Sequence, residues 1–275
     1  MATLNIVGAG HVGRALGRLF AAGGAFQVQD VLTRSLSSAR EAVAFIGAGV
    51  AVADHARLRP ADFTMLAVGD DQIGVACQAL AAAVPLRGGV VFHCSGALAS
   101  DQLHAAASAG ALVASVHPIR SFADPAAVAA HFGGTFCGIE GDAGALALLE
   151  PALLALGARP VTIDAAGKTL YHAAAVFASN YLVTVLDAAL RAYQAAGIPE
   201  ALARELAQPL VSETVANVFK LGPARALSGP IARGDLAAVE RQRRAVSAWD
   251  GASGALYEAL VAPTTELARR KRAIS

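Results

Sequence analysis

Aromatic side chains are scarce in this 275-residue chain, at 5%, and so are charged ones, at 16%. Beside 55% hydrophobic residues, that shortage of charge excludes a disordered chain and leaves enough apolar surface for one large or two moderate domains. Neither sign of charge prevails. The net charge is +1, and the one basic run, from Arg269 to Arg272, suits a solvated helix end, where cations favour the dipole. Nucleic acid is therefore not an expected partner. Cysteine occurs only as Cys77, Cys94 and Cys137, with no CxxC pair and no metal-ligand spacing. This excludes a disulfide framework and suits a reducing cytoplasm. The first residues lack the basic and then apolar segments of a secretory leader, so a cytoplasmic location is expected.

Lysine is rarer still, three residues against nineteen arginines. The imbalance reads as compositional bias, so a surviving lysine marks a place where lysine itself is required. Residues 169–186 lack Asp, Glu, Lys and Arg and approach the length of a membrane span. His172, Ser179 and Asn180 interrupt that run and alanine outweighs leucine, so the expected state is a helix buried among other helices, with no membrane partner.

The first part of the chain alternates short β-branched runs with alanine-rich helical stretches. Strands are expected at 4–7, 28–33, 63–68, 90–93 and 112–116, and helices at 12–22, 37–45, 72–83 and 100–107. Mostly apolar strands in a βαβ rhythm predict a parallel sheet covered on both faces. Two more strands, 135–139 and 160–163, flank a helix at 143–156. After Asp164 only helical patterns follow, at 167–196, 199–219, 236–248 and 254–272. The expected organisation is an α/β Rossmann domain over 1–164 followed by an all-α domain over 165–275.

A glycine loop, Gly8-Ala9-Gly10-His11-Val12-Gly13, joins the first strand to the first helix. Gly8 permits the tight turn, Gly10 lets backbone approach a pyrophosphate, and Gly13 lets helix and strand pack closely. The phosphates then meet free N–H groups at the positive end of the helix. Its place between a strand and a helix makes the motif a dinucleotide site. About 20 residues further on, where an NAD enzyme carries Asp or Glu for the ribose, the chain reads Thr33-Arg34-Ser35. Arg34 can pair with a 2′-phosphate and the flanking hydroxyls can add donors, so NADP is expected and NAD less so. Asp30, inside the strand, reads as structural.

Ligands of such sheets bind beyond the carboxyl ends of the strands. There lie Val68-Gly69-Asp70-Asp71, Ser95-Gly96 and His117-Pro118. Val68, Gly69 and Asp70 suit the nicotinamide-side ribose, whereas Asp71 reads as a helix N-cap. Ser95 is either a contact to nicotinamide or substrate, or a cap. His117 is either a reacting group or a core histidine. In the helical part, Lys168 and His172 share one helix face, so both can reach one small ligand as proton donor, shuttle or oxyanion stabiliser. Asn180 lies about 12 Å further along a straight helix, so it joins them only through a helix break, an extended substrate or a structural role. Arg233, in a loop expected over 227–235, suits a substrate carboxylate or an ion pair with Asp235.

The stretches GAGHVGRAL, HCSGALASDQL, SVHPIRSFADP, GKTLYHAAAVFASNYL and LSGPIARGD together resemble a bacterial family assigned as NADP oxidoreductases. In that family a Rossmann-like domain precedes a domain of unknown function, DUF2520. The family is similar in build to pyrroline-5-carboxylate reductase, prephenate dehydrogenase and the β-hydroxyacid dehydrogenases. The resemblance implies a second domain like the C-terminal domain of 6-phosphogluconate dehydrogenase, dimerisation through it, and substrate held between domains. His117-Pro118 resembles the His-Pro step of prephenate dehydrogenases. Lys168 and His172 stand at the spacing of the Lys and Asn of β-hydroxyacid dehydrogenases. His in place of that Asn means their mechanism does not transfer whole. The stretch from His172 to Tyr181 is similar to the substrate-side helix of pyrroline-5-carboxylate reductase, without its Gly-Ser-Gly-Pro break. The implied activity is hydride transfer between NADP(H) and a small carbonyl, hydroxy acid or imine. The alternative is a protein that binds or senses NADP without turnover.

Overall fold

The structure, a computed structural model, describes residues 1–274. Two compact units divide the chain, Met1–Ser179 and Asn180–Ser275.

In the first unit the strands are β1 (Thr3–Val7), β2 (Gln27–Leu32), β3 (Val50–Val52), β4 (Phe63–Leu66), β5 (Val90–His93), β6 (Leu112–Pro118), β7 (Phe136–Gly141) and β8 (Arg159–Thr162). They form one sheet in the order β3-β2-β1-β4-β5-β6-β7-β8. All neighbours run parallel except β6 and β7. Every residue of β4 and β5 is buried, as expected of strands covered on both faces. The covering helices are α1 (His11–Ala22), α2 (Leu36–Ile46), α3 (Ile73–Ala83), α4 (His104–Ser108), α5 (Pro125–Ala130), α6 (Ala143–Ala155) and α7 (Lys168–Ala178). One layer packs Leu16 and Phe20 of α1 on Ile6, Phe63 and Phe92, and the other packs Ile73, Leu80 and Leu103 on Leu66 and Val91. The strand order reverses between β1 and β4. Register aligns Val7 with Leu66 and Leu66 with His93, so the loops after β1, β4 and β5 leave the sheet side by side. That is the switch point at which such sheets take ligands.

The expected elements are found, with instructive differences. β3, three residues long, is too short to show a period. α5 starts with Pro125 at its first position and Asp124 as cap, accepting from Ala126 and Ala127 N–H. The helix expected over 167–196 breaks at Ser179, whose φ −125° and ψ −73° lie outside the helical region. Its first half, α7, is anchored to the sheet through Lys168, which is why the compact unit extends past Asp164.

The second unit is all helical: α8 (Asn180–Ala195), α9 (Glu200–Leu221), α10 (Pro223–Ala226), α11 (Gly229–Arg233), α12 (Leu236–Trp249) and α13 (Gly251–Ala273). Gly254 lets α13 approach α12, because a Cβ there would lie 2.7 Å from the Ser247 Cα. The loop expected over 227–235 contains α11, ended by Gly234 in the left-handed region (φ 76°).

The span 168–195 is long and apolar enough to cross a membrane by length and composition. The expected burial of this stretch is not met within the chain: Leu170 is 78% exposed and Phe177 70% on α7, and Val183 66% on α8. Lys168 is the one residue of α7 that is fully buried, with Tyr171 and His172 half-buried beside it. The outward face is apolar but unshielded.

Candidate active site

β1 ends at Val7, and Gly8 turns the chain with φ +87°, a conformation that costs an L-residue but not glycine. A Cβ at Gly8 would lie 2.6 Å from the Ala67 carbonyl oxygen, and one at Gly13 would lie 2.5 Å from the Gly8 oxygen. Both glycines are therefore required by packing. Gly10 differs, since the space a Cβ would enter is open. No side chain caps α1 and its first turn carries no acid, so its leading N–H groups have no side-chain partner at the helix start. His11 and Val12 form the first turn of α1, with His11 exposed. A groove of about 860 Å³ runs over this loop, lined by Gly8, Ala9, Gly10, Thr33, Arg34 and Val68 among others.

Arg34 is exposed at the β2 side of the groove. Thr33 Oγ1 donates to the Ser35 carbonyl at 2.8 Å, and Ser35 Oγ accepts from Ser38 N–H at 3.2 Å. Ser35 is thus the N-cap of α2, and Ser38 rather than Ser35 lines the groove. Asp30 is buried and bound to Arg59 at 2.6 Å, so it is structural. His55 lines the same side, and its Nε2 is buried without a hydrogen-bond partner. An open direction at Gly10, a guanidinium at the rim and an orphaned imidazole nitrogen fit a phosphorylated dinucleotide. Gly69 and Asp71 also line the groove. Asp70, Asp71 and Gln72 form a single turn of 3-10 helix that precedes α3. The Asp71 carboxylate accepts from Gln72 Nε2 at 2.9 Å and caps nothing, which corrects the expected N-cap.

Beyond β5 the chain is shaped by histidine. His93 is fully buried, and burial holds its pKa below the ordinary value. Its Nδ1 accepts from Ser95 N–H at 3.1 Å, so Nε2 carries the proton and donates to the Ala99 carbonyl at 3.0 Å. Ser95 Oγ accepts from Ala97 and Leu98 N–H. No helix starts directly after Ser95, so it is not a helix cap: its hydroxyl closes the buried turn that presents Gly96.

Lys168 is 1% exposed, its Nζ 2.9 Å from Glu140 Oε1 and hydrogen-bonded to Ser115 Oγ. Glu140 also accepts from Ser100 N–H at 2.9 Å and from the Ser100 hydroxyl at 2.7 Å. One carboxylate of β7 thereby ties together β6, α7 and the turn before α4. Burial pulls the Lys168 ammonium below the ordinary lysine value, against the opposing effect of Glu140.

His117, near the end of β6, and His172, on α7, meet edge to face with ring centres 5.5 Å apart. A Cβ on Gly96 would lie 2.7 Å from His117 Nε2 and 2.3 Å from His172 Nδ1, so both nitrogens converge on this buried glycine. His172 Nδ1 is buried with no partner. Burial, then the neighbouring His172 and Lys168 side chains, lower the His117 pKa to about 4, so its imidazole is neutral near neutral pH. The expectation that Lys168 and His172 reach one ligand is therefore divided. The ammonium is held by Glu140 and Ser115, and the imidazole joins His117.

Two expected substrate residues lie in the second unit. Asn180 opens α8, after a helix break, one of the three routes expected for it, and is exposed. Arg233 ends α11 and is exposed, Asp235 caps α12 by accepting from Ala238 N–H, and no Arg233–Asp235 ion pair forms among the described residues. Sequence reading omitted Tyr171, Glu140, Ser115 and His55. Tyr171 stands at i+3 from Lys168 on the face already singled out, a signal present in the chain. Glu140 lies one residue past the strand expected over 135–139 and 28 residues before Lys168, so only the fold brings the two together.

Residues 2–118 match a Rossmann-like domain and residues 135–264 match a domain of unknown function, DUF2520. Among solved structures, the chain is similar to a Thermotoga maritima protein at 29% identity, covering 98% of this chain and 99% of that one with a TM-score of 0.74. It is similar to a Bacteroides fragilis protein provisionally named an NADP oxidoreductase, at 22% identity, 96% and 98% coverage and a TM-score of 0.80. An Aspergillus terreus reductive aminase in complex with NADPH and ethyl levulinate shares 17% identity, with 99% and 95% coverage and a TM-score of 0.69. None of the curated proteins compared matches the chain.

Proposed function

For a chain that joins a Rossmann-like domain to DUF2520, we propose an NADP-dependent oxidoreductase that acts in the cytoplasm on a small carbonyl, hydroxy acid or imine. One observation carries this reading. His117 and His172 converge over Gly96 at the carboxyl edge of the same sheet whose β1 ends in the glycine groove. The Gly8–Gly13 loop would hold the pyrophosphate, Arg34 with Thr33 the 2′-phosphate, and Val68, Gly69 and Asp70 the nicotinamide-side ribose. NADPH seen in the Aspergillus terreus reductive aminase supports the choice of cofactor. When bound, the cofactor supplies the hydride. The histidine pair binds and polarises the reacting oxygen or nitrogen. Lys168 acts as a positioning and electrostatic group, because its ammonium is engaged by Glu140 and Ser115 and fixes α7 on the sheet.

The test combines binding and turnover. NADPH is expected to raise the melting temperature more than NADH does, and to be oxidised by members of a carbonyl and imine panel. Gly96→Ala is expected to keep the NADPH-induced shift and to lower turnover by about 100-fold or more, since the new methyl displaces both imidazoles. Strong NADPH binding with no turnover on any member would favour the sensing alternative. No thermal shift with either nucleotide would end both readings.

A homodimer through the helical domain belongs to the same proposal. On the second unit, Val183 is 66% exposed, Leu210 57% and Phe219 87%, an apolar display typical of interaction surfaces. Sedimentation equilibrium at micromolar concentration is expected to give a dimer, and Val183→Asp with Phe219→Asp a monomer. A monomeric wild-type chain would refute it.

A further inference from the structure

The geometry points to Tyr171 as a positioning residue that fixes His117 with its proton on Nε2, turned toward Gly96, where it donates to an acceptor oxygen of the substrate. Only the identity of that acceptor rests on the oxidoreductase reading.

Tyr171 Oη lies 3.0 Å from His117 Nδ1, with the two rings perpendicular and their centres 5.6 Å apart. The hydroxyl occupies space that a side chain on β7 would fill, since a Cβ on Gly138 would lie 2.4 Å from it. Gly138 is the cross-strand partner of His117 in the β6–β7 pair, so the strand that holds the histidine also makes room for the tyrosine.

The direction of this hydrogen bond follows from proton accounting. Burial pushes the Tyr171 hydroxyl up to about 12, so it keeps its proton. His117 is neutral near neutral pH and therefore carries one N–H. Among the described residues, His117 Nδ1 is the acceptor within reach of the tyrosine proton. The reverse arrangement, with Nδ1 donating, leaves that hydroxyl proton unpaired in a half-buried place. The remaining imidazole proton accordingly sits on Nε2, the nitrogen that faces Gly96.

A neutral N–H suits a carbonyl oxygen, whose negative charge grows as hydride arrives at carbon. It does not suit a protonated iminium, whose nitrogen has no lone pair to accept, and the Lys168 charge felt at His117 opposes a cation there. Carbonyl compounds are therefore the favoured substrate class.

The tautomer can be read without turnover. In the full-length chain labelled with ¹⁵N-histidine and saturated with NADP⁺, long-range ¹H–¹⁵N spectra near neutral pH are expected to show a pyrrole-like Nε2 and a pyridine-like Nδ1 for His117, identified by their loss in His117→Gln. Tyr171→Phe is expected to lose the single tautomer. It should also lower kcat on carbonyl substrates by about 10- to 100-fold while the KM for NADPH stays unchanged. A wild-type proton on Nδ1 overturns the assignment, as does an unaltered Nε2–H tautomer in Tyr171→Phe. Turnover of iminium-forming panel members alone overturns the acceptor oxygen. A panel with no turnover counts against the oxidoreductase reading, while the spectra still decide the role of Tyr171.

Discussion

Arg34→Asp is expected to shift the ratio of NADPH to NADH affinity by about 10- to 100-fold toward NADH, the equivalent of roughly 1.5–3 kcal/mol for a lost charged hydrogen bond. Arg34 stands at the end of β2 beside the groove, and no ion pair with it forms among the described residues. Its charge is thus available to an anion. The substitution removes that cation and places a carboxylate where NAD enzymes hold the ribose hydroxyl. A 2′-phosphate then meets repulsion in addition to losing its partner. Because Arg34 is exposed, the wild-type preference should narrow as ionic strength rises. Titrations with both nucleotides at two salt concentrations check this. An unchanged ratio would remove Arg34 from the cofactor site.

Lys168→Ala is expected to destabilise the first unit by about 3–5 kcal/mol, the cost of leaving one member of a buried ion pair without its partner. At about 2–4 °C per kcal/mol for a domain of this size, the melting temperature should fall by roughly 10 °C. Glu140 would be left buried with only Ser100 bound to it. Replacing both charges, as in Lys168→Met with Glu140→Gln, should recover much of the loss, because the pair itself costs desolvation. The direction of the Lys168 pKa agrees. With the folded-state value lowered by burial, the unfolded chain binds the extra proton above it. This lysine's contribution therefore becomes more favourable as pH rises through the folded value toward the unfolded one. Thermal or urea unfolding of both variants measures the difference. A single variant as stable as wild type would mean that water or movement relieves the buried carboxylate. Activity in Lys168→Ala then separates roles, since a positioning lysine affects turnover in proportion to displacement of α7.

The sheet was legible because its strands are apolar runs ended by glycine or polar residues, a pattern strong enough to survive without knowledge of neighbours. β3 was not, since three residues carry no period, and α5 was obscured by the proline that starts it. The glycine loop was legible to the residue: Gly8 and Gly13 are required by close backbone contacts, and Gly10 leaves open space. At the histidine site the legibility was uneven. His117 and His172 stood out by position, one beyond a strand's carboxyl end and the other four residues from Lys168. Their meeting over Gly96 depends on β6 and α7 coming together, which no local pattern encodes. Lys168 was singled out, but its partner lies on an antiparallel strand read only as an apolar segment. Ser95 had two readings, and only the buried His93 beneath it decides that its hydroxyl serves the turn.

The burial of Lys168 also gives the chain a chemical clock. Of the three lysines, Lys220 lies exposed on α9, whereas the Lys168 amine is screened from solvent and engaged by two oxygens. An amine-reactive reagent therefore modifies Lys168 at the frequency with which α7 detaches from the sheet, not at the intrinsic rate of a surface amine. Labelling of that one residue, compared with Lys220 in the same molecule, counts local opening events at the candidate site. A bound nucleotide or substrate that restrains α7 would register as a slower count.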